Sequence, residues 1–188
     1  ELSELILMSA NERRAKRVKF HPQKTIVLGP NDTGKSALIK SIYATFGAEP
    51  YTVHPRWAAA NVTSVVKFRW RGDSYTMLRN RDTFAIFDAN RRLEKVFQSV
   101  TRDLGPYLAN MLGFHLRLPD QRGKEIVPPP AFIFLPFYID QDGGWSRNWA
   151  SFSNLGQLRD WRQRLAEYHT GIRDNDYYET RNRLDEAR

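Results

Sequence analysis

Apolar and polar positions along the chain change period several times, and each change marks an element. Residues 2–8 and 17–20 read as two short extended segments around the polar turn 9–16, and residues 25–28 form a compact apolar run with strand character. A glycine-containing stretch, residues 29–36, follows directly. Leu38, Ile39, Ile42 and Phe46 then recur at helical spacing, with Gly47 as the stop. Strand, loop and helix therefore come in that order.

From residue 63 to 97 the period shortens to two, in runs 65–70, 75–78 and 84–87 separated by the turn-forming stretches 71–74, 80–82 and 88–91, which predicts an antiparallel meander. Helical spacing returns with Val100, Leu104, Leu108 and Leu112, and Gly105-Pro106 predicts a kink or restart within that helix. Pro128, Pro129 and Pro130 stiffen the entry to residues 131–139, an apolar strand candidate, so the predicted sheet is mixed. After the glycine turn 142–145, the chain from Asn154 reads as helix. Leu158, Trp161, Leu165, Tyr168 and Ile172 repeat at alternating spacings of three and four, a two-heptad seam interrupted by Gly171. The pattern fits a coiled-coil root or a helix packed on the domain.

Composition narrows the classes. At 188 residues and 41% hydrophobic, the chain can bury one core. No run of eighteen apolar residues suggests a membrane span, and no leader pattern begins the chain, so the expectation is a soluble cytoplasmic protein. The absence of cysteine excludes disulfides, thiolate metal sites and cysteine nucleophiles. A formal net charge of +8 draws the chain toward polyanions, nucleic acid first among them. The start at Glu1 and the charged helical ending suggest a piece of a longer polypeptide.

Residues 29–36, Gly-Pro-Asn-Asp-Thr-Gly-Lys-Ser, match the phosphate-loop pattern at every fixed position. The chemistry explains the spacing. Backbone N–H groups turned inward make an anion nest, and Gly34 permits close approach at the positive end of the following helix. Lys35 would reach the β- and γ-phosphates of ATP, and the Ser36 hydroxyl would ligate Mg²⁺. Gly29, Asn31, Asp32, Thr33, Gly34, Lys35, Ser36 and Ala37 are the candidate nucleotide-binding residues.

The variant of the loop, with Asn31 two positions after the first glycine, resembles that of SMC, RecF and the SMC-like double-strand-break repair ATPases, which are ABC-type heads. Asp32 stands where that family usually has a second glycine. The run Phe137-Tyr138-Ile139-Asp140-Gln141-Asp142 is similar to the family's Q-loop, which makes Gln141 the implied sensor of Mg²⁺ and the γ-phosphate, a second metal ligand and, with Lys35, a catalytic candidate. The hairpin residues Asn11, Arg13 and Arg14 resemble a group lying near the nucleotide, although each also reads as part of a solvated basic turn.

The resemblance implies an α/β P-loop NTPase fold: residues 1–153 as the amino-terminal lobe of an ATPase head, and 154–188 as the root of a coiled coil. It further implies a head-to-head homodimer around ATP, DNA as partner, accessory nuclease or regulatory subunits, no membrane, and work in DNA repair, maintenance or antiviral defence. The chain contains no Leu-Ser-Gly-Gly-like signature, and Asp140-Gln141-Asp142 lacks the adjacent acidic pair of a Walker B motif; the family supplies both from a carboxy-terminal lobe. Hydrolysis is therefore expected to need that lobe.

A competing assignment reads residues 132–139 as a Walker B strand ending at Asp140 or Asp142, making the chain a self-contained small kinase or NTPase; Pro136 argues against a central strand there. Asp174, Asp176 and the histidines at 21, 54, 115 and 169 lack metal-ligand spacing. Trp145, Trp149, Phe152 and Trp161, with Arg147 and Arg159 interleaved, fit core anchors better than a base-stacking surface. The basic runs 13–19 and 69–71 are candidates for a DNA phosphate path.

Overall fold

The first alternating run becomes β1 (Leu2–Ser9), which pairs antiparallel with β2 (Arg14–Lys19). The computed structural model describes residues 1–187, so Arg188, the last residue of the expected helical root, lies outside it. Strand period two sends Leu5 and Leu7 inward and Ile6 and Met8 outward. Glu4 shares the outward face, yet it is buried beneath Arg17, with which it pairs, and Lys67, whose Nζ lies 2.8 Å away.

The long β2–β3 connection carries residues 29–34, α1 (Lys35–Thr45) and α2 (Pro55–Ala59). The meander follows as β3 (Val62–Trp70), β4 (Asp73–Asn80), β5 (Thr83–Phe87) and β6 (Leu93–Phe97). β3 and β4 meet at the two-residue turn Arg71-Gly72, both with positive φ, the hairpin geometry that matches strand twist. The sheet order is β2-β1-β3-β4-β5-β6, antiparallel at every pairing among the described residues.

The predicted mixed sheet does not form, because neither extra strand candidate joins it. Among the described residues, 25–28 belong to no strand, and Ile26 and Leu28 are exposed. Residues 131–139 are instead α4 (Ala131–Phe134) and a 3-10 turn, Leu135–Phe137. Pro129 and Pro130 fix φ for a helix start, their carbonyls accept from Phe132 and Ile133 N–H at 3.0 Å, and a short buried apolar run has no period to tell helix from strand.

Between these come a π-helical turn, Val100–Leu104, and α3 (Gly105–Leu112), which restarts at the glycine-proline pair. A small hairpin, β7 (Leu118–Pro119) and β8 (Glu125–Ile126), follows. α1 packs on the inner face of β3 and β4. Leu5, Val66, Met77, Ile86, Leu104 and Leu108 are fully buried there, each contributing about 1.5–3 kcal/mol relative to exposure. The buried Thr45 and Ser64 hydroxyls satisfy each other at 2.7 Å where helix meets sheet.

The carboxy-terminal segment departs from one continuous helix. α5 (Trp161–His169) ends before Gly171, whose φ is 78°, and α6 (Asn175–Glu186) starts anew with Asp174 capping the Tyr177 N–H at 3.2 Å. Leu158, Trp161 and Leu165 of the heptad seam are buried in the domain core, while Ile172 is exposed. The seam therefore serves intradomain packing. Glu125 ties both helices down, accepting from Arg164 at 2.7 Å and Arg181 at 3.2 Å.

Candidate functional site

Two glycine-bearing loops, separated by about a hundred residues of sequence, meet at the start of α1. The first is residues 29–34. Asp32 has φ 60° and Gly34 has φ 84°, so the chain turns through two left-handed residues before entering the helix. The first of these positions explains why the resembling loops carry glycine there and why Asp32 substitutes for it, since Asp visits this region more readily than most side chains. Gly34 is the N-cap and supplies no side-chain cap, and no acidic residue occupies the first turn. The N–H groups of Lys35, Ser36 and Ala37 thus have no intrahelical acceptor.

Within the loop, the Thr33 hydroxyl donates to the Pro30 carbonyl at 2.8 Å. The Lys35 ammonium arches back over the loop, donating to the carbonyls of Gly29 at 2.8 Å and Pro30 at 2.6 Å. The Lys35 ammonium and the N–H groups without helical acceptors thus belong to one exposed loop and helix start. That arrangement is chemically suited to an anion with several oxygens.

The second loop brings Gln141. The Ser36 hydroxyl donates to Gln141 Oε1 at 3.3 Å, joining residues 105 positions apart. Neighbouring vertices of an oxygen octahedron with metal–oxygen bonds of about 2.1 Å are about 3.0 Å apart, so the two oxygens already stand near the spacing of adjacent Mg²⁺ ligands. Both are of the hard donor type that Mg²⁺ takes. Ser36 and Gln141 fit the cation they were predicted to hold.

Gln141 is flanked by two fastened aspartates. Asp140 is 3% exposed, and its Oδ1 accepts from the N–H groups of Gly143 at 3.0 Å and Gly144 at 2.5 Å. Ser151, also buried, accepts from the Asp140 N–H at 3.1 Å and donates to the Tyr138 carbonyl at 2.9 Å. A Cβ at Gly144 would collide with the Ser151 hydroxyl and with Asp140, so only glycine closes the turn. Asp142 is bonded by Lys40 of α1 and by the Thr52 hydroxyl, and the Lys40 bond chiefly holds its carboxyl below the usual carboxylate range. Of the two aspartates weighed as Walker B candidates, Asp142 is thereby bonded to Lys40 and Thr52, while Asp140 closes the glycine turn through Oδ1 and leaves its buried Oδ2 without a partner.

Asn11, Arg13 and Arg14 lie at the β1–β2 turn. Asn11 donates to the Ala59 carbonyl at 3.2 Å, the buried Ser9 hydroxyl donates to Ala60 at 2.5 Å, and both arginines are exposed. The side chains of Ser9 and Asn11 thus tie this turn to residues 59 and 60 rather than to residues 29–36. His54 caps α2 through the Arg56 N–H, His21 accepts from the N–H groups of Gln23 and Lys24, and His115 faces Glu179 at 3.5 Å. The His169 ring meets those of Phe137 and Tyr168 edge-on, and the desolvation they cause holds its pKa below the ordinary value. Phe152 and Trp161 are core residues, whereas Trp145 is exposed. Sequence reasoning missed Lys40, Thr52 and Ser151, whose roles exist only through contacts across the fold; Gly143-Gly144 after Asp140 is the one local signal of a capped turn.

No family model matches the chain. It is similar to the Lamassu protein LmuB of Bacillus cereus (strain VD014), 34% identical over 179 residues that cover 94% of this chain and 31% of that protein. It is also similar to the Lamassu protein LmuB of Bacillus sp. (strain NCIM 5461 / CCTCC AB 2011126 / NIO-1130), 22% identical over 141 residues, 74% of this chain and 24% of that protein. The chain thus spans a third or less of the length of the curated relatives it matches. Among the described residues no helix is long and apolar enough to cross a membrane.

Proposed function

We propose that this chain is the amino-terminal lobe of an SMC-like, ABC-type P-loop ATPase head that binds ATP with Mg²⁺ and works in defence against foreign DNA. The observation that carries this reading is the 3.3 Å contact between Ser36 and Gln141, since the phosphate loop and the Q-loop-like run, 105 positions apart, meet where a shared cation would sit. The similarity to Lamassu protein LmuB over nearly the whole chain supports the defence role, with the head acting alongside accessory nuclease or regulatory subunits.

In this reading the N–H groups at the start of α1 and the Lys35 ammonium bind the β- and γ-phosphates, and Ser36 and Gln141 hold the cation. Bound Mg²⁺ would neutralise charge developing on the transferring phosphoryl group. Gln141 also orients the attacking water. The signature and Walker B residues come from a carboxy-terminal lobe, and two heads sandwich ATP so that hydrolysis changes their grip on DNA. Exposure of Ile26, Leu28, Phe137 and Ile139, on the segments that lead into Gly29 and Gln141, supports a second lobe covering this face. For DNA, the register sets Arg17 and Lys19 of β2 and Lys67 and Arg69 of β3 on the outward sheet face astride β1, a basic strip suited to phosphates.

The test is ATP turnover by the native full-length protein, with and without DNA. DNA-stimulated hydrolysis abolished by Lys35→Ala supports the head. Hydrolysis or phosphoryl transfer to a small substrate by residues 1–188 alone would favour the compact kinase, against which the bonds of Asp142 to Lys40 and Thr52 weigh.

A further inference from the structure

Gln141 is held from both sides, and the outer of the two fastenings lands on the same helix as its target. Ser36 and Lys40 are four residues apart on α1 and so share one helix face. Gln141 meets the first and Asp142 meets the second. The segment is fixed to α1 at two points one turn apart, which leaves the Gln141 backbone little freedom to withdraw from Ser36. Lys40 is the hub of this arrangement. It is largely buried, with a side chain 12% exposed, and besides Asp142 it donates to the Thr52 carbonyl at 2.8 Å and hydroxyl at 3.0 Å. The Thr52 segment is in turn clamped to the far end of the same loop: the Tyr51 N–H donates to the Ser151 carbonyl at 3.0 Å, and the Ser153 N–H to that of Glu49 at 2.9 Å.

The geometry points to Lys40 and Asp142 as positioning residues that set the reach of the Gln141 amide oxygen toward the cation. The inference rests on the nucleotide reading above. An ion pair that only braced a surface loop would need no third partner, and its lysine would have no reason to be withdrawn from water. Here the lysine's donors are all used inside the fold, and the residue next to its carboxylate partner is the one aimed at Ser36. Positioning through a neighbour predicts that loss of the pair acts only through Gln141.

The experiment is a double-mutant cycle in the native full-length protein, reading ATP affinity in Mg²⁺ and again in EDTA. Asp142→Asn and Lys40→Met should each reduce the Mg²⁺-dependent gain in affinity by about fivefold while leaving affinity in EDTA within about twofold, and the exchange Lys40→Asp with Asp142→Lys should recover part of the loss. On a Gln141→Ala background, Asp142→Asn should have no further effect. Equal losses with and without Mg²⁺, or an Asp142→Asn loss that persists in full without Gln141, would overturn the positioning role. A parent protein whose ATP affinity ignores Mg²⁺ would overturn the cation site itself, and the positioning role with it.

Discussion

The inner face of the sheet and the rim around α1 carry the same kinds of side chain and treat them oppositely. Val66, Met77 and Ile86 are wholly buried in the meander, whereas Ile26 is 78% exposed, Leu28 87%, Phe137 72% and Ile139 74%. The buried set has a neighbour on each side, because β1, β3, β4 and β5 pair with one another and α1 closes the face above. The exposed set sits on segments that end in site residues and lack a ladder. Apolar side chains left in water gain nothing from folding by themselves. One region is finished by its own chain, and the other is left exposed by it.

The largest expected effect separates these two regions directly. Met77→Ala or Ile86→Ala should cost about 3 kcal/mol in denaturant titrations of residues 1–188, while Ile26→Ser or Leu28→Ser should stay within about 0.5 kcal/mol. Comparable losses from both sets would remove the contrast. Next in size is Gly144→Ala, which forces Asp140 and Ser151 apart and should cost about 2 kcal/mol while moving Gln141 off Ser36. Thermal melts together with Mg²⁺-ATP affinity check both consequences.

Lys35→Ala belongs wholly to the rim. Its ammonium bonds only exposed loop carbonyls, so the variant should unfold like the parent yet bind ATP at least about tenfold more weakly in equilibrium titrations. The smallest effect concerns Glu4 on the outward sheet face. Arg17 first and then Lys67 hold its carboxyl below the ordinary range, so the stabilisation is present above the unfolded-state value of about 4.3 and is lost as pH falls through the folded value. Parent and Glu4→Gln should differ by up to about 1 kcal/mol at pH 7 in denaturant titrations and converge as the pH falls below the folded-state value.

Local rules made most of the sheet and the first site legible. Alternation located β1, β3, β4 and β5, helical spacing located α1, and the loop motif marked residues 29–36 with the turn they adopt. β6 escaped because its outward residues, Leu93 and Val96, are exposed apolars that blur the alternation. Residues 25–28 were read as a strand because composition reports strand character and is silent about whether a neighbour exists. Residues 131–139 were read as a strand because prolines that begin a helix also stiffen an extended entry. The heptad seam was legible as a stripe, but its partner, the domain's own core, was not. Gln141 could be singled out, whereas Lys40, which meets Asp142 across 102 positions, could not.

The central claim is that Ser36 and Gln141 form one cation site, and a cycle of Ser36→Ala, Gln141→Ala and the double variant tests it most directly, by ATP affinity in Mg²⁺ and in EDTA. A shared site predicts that each single variant removes most of the Mg²⁺-dependent gain and that the double variant loses little more. Strictly additive losses, or single variants that keep the full gain, would contradict it.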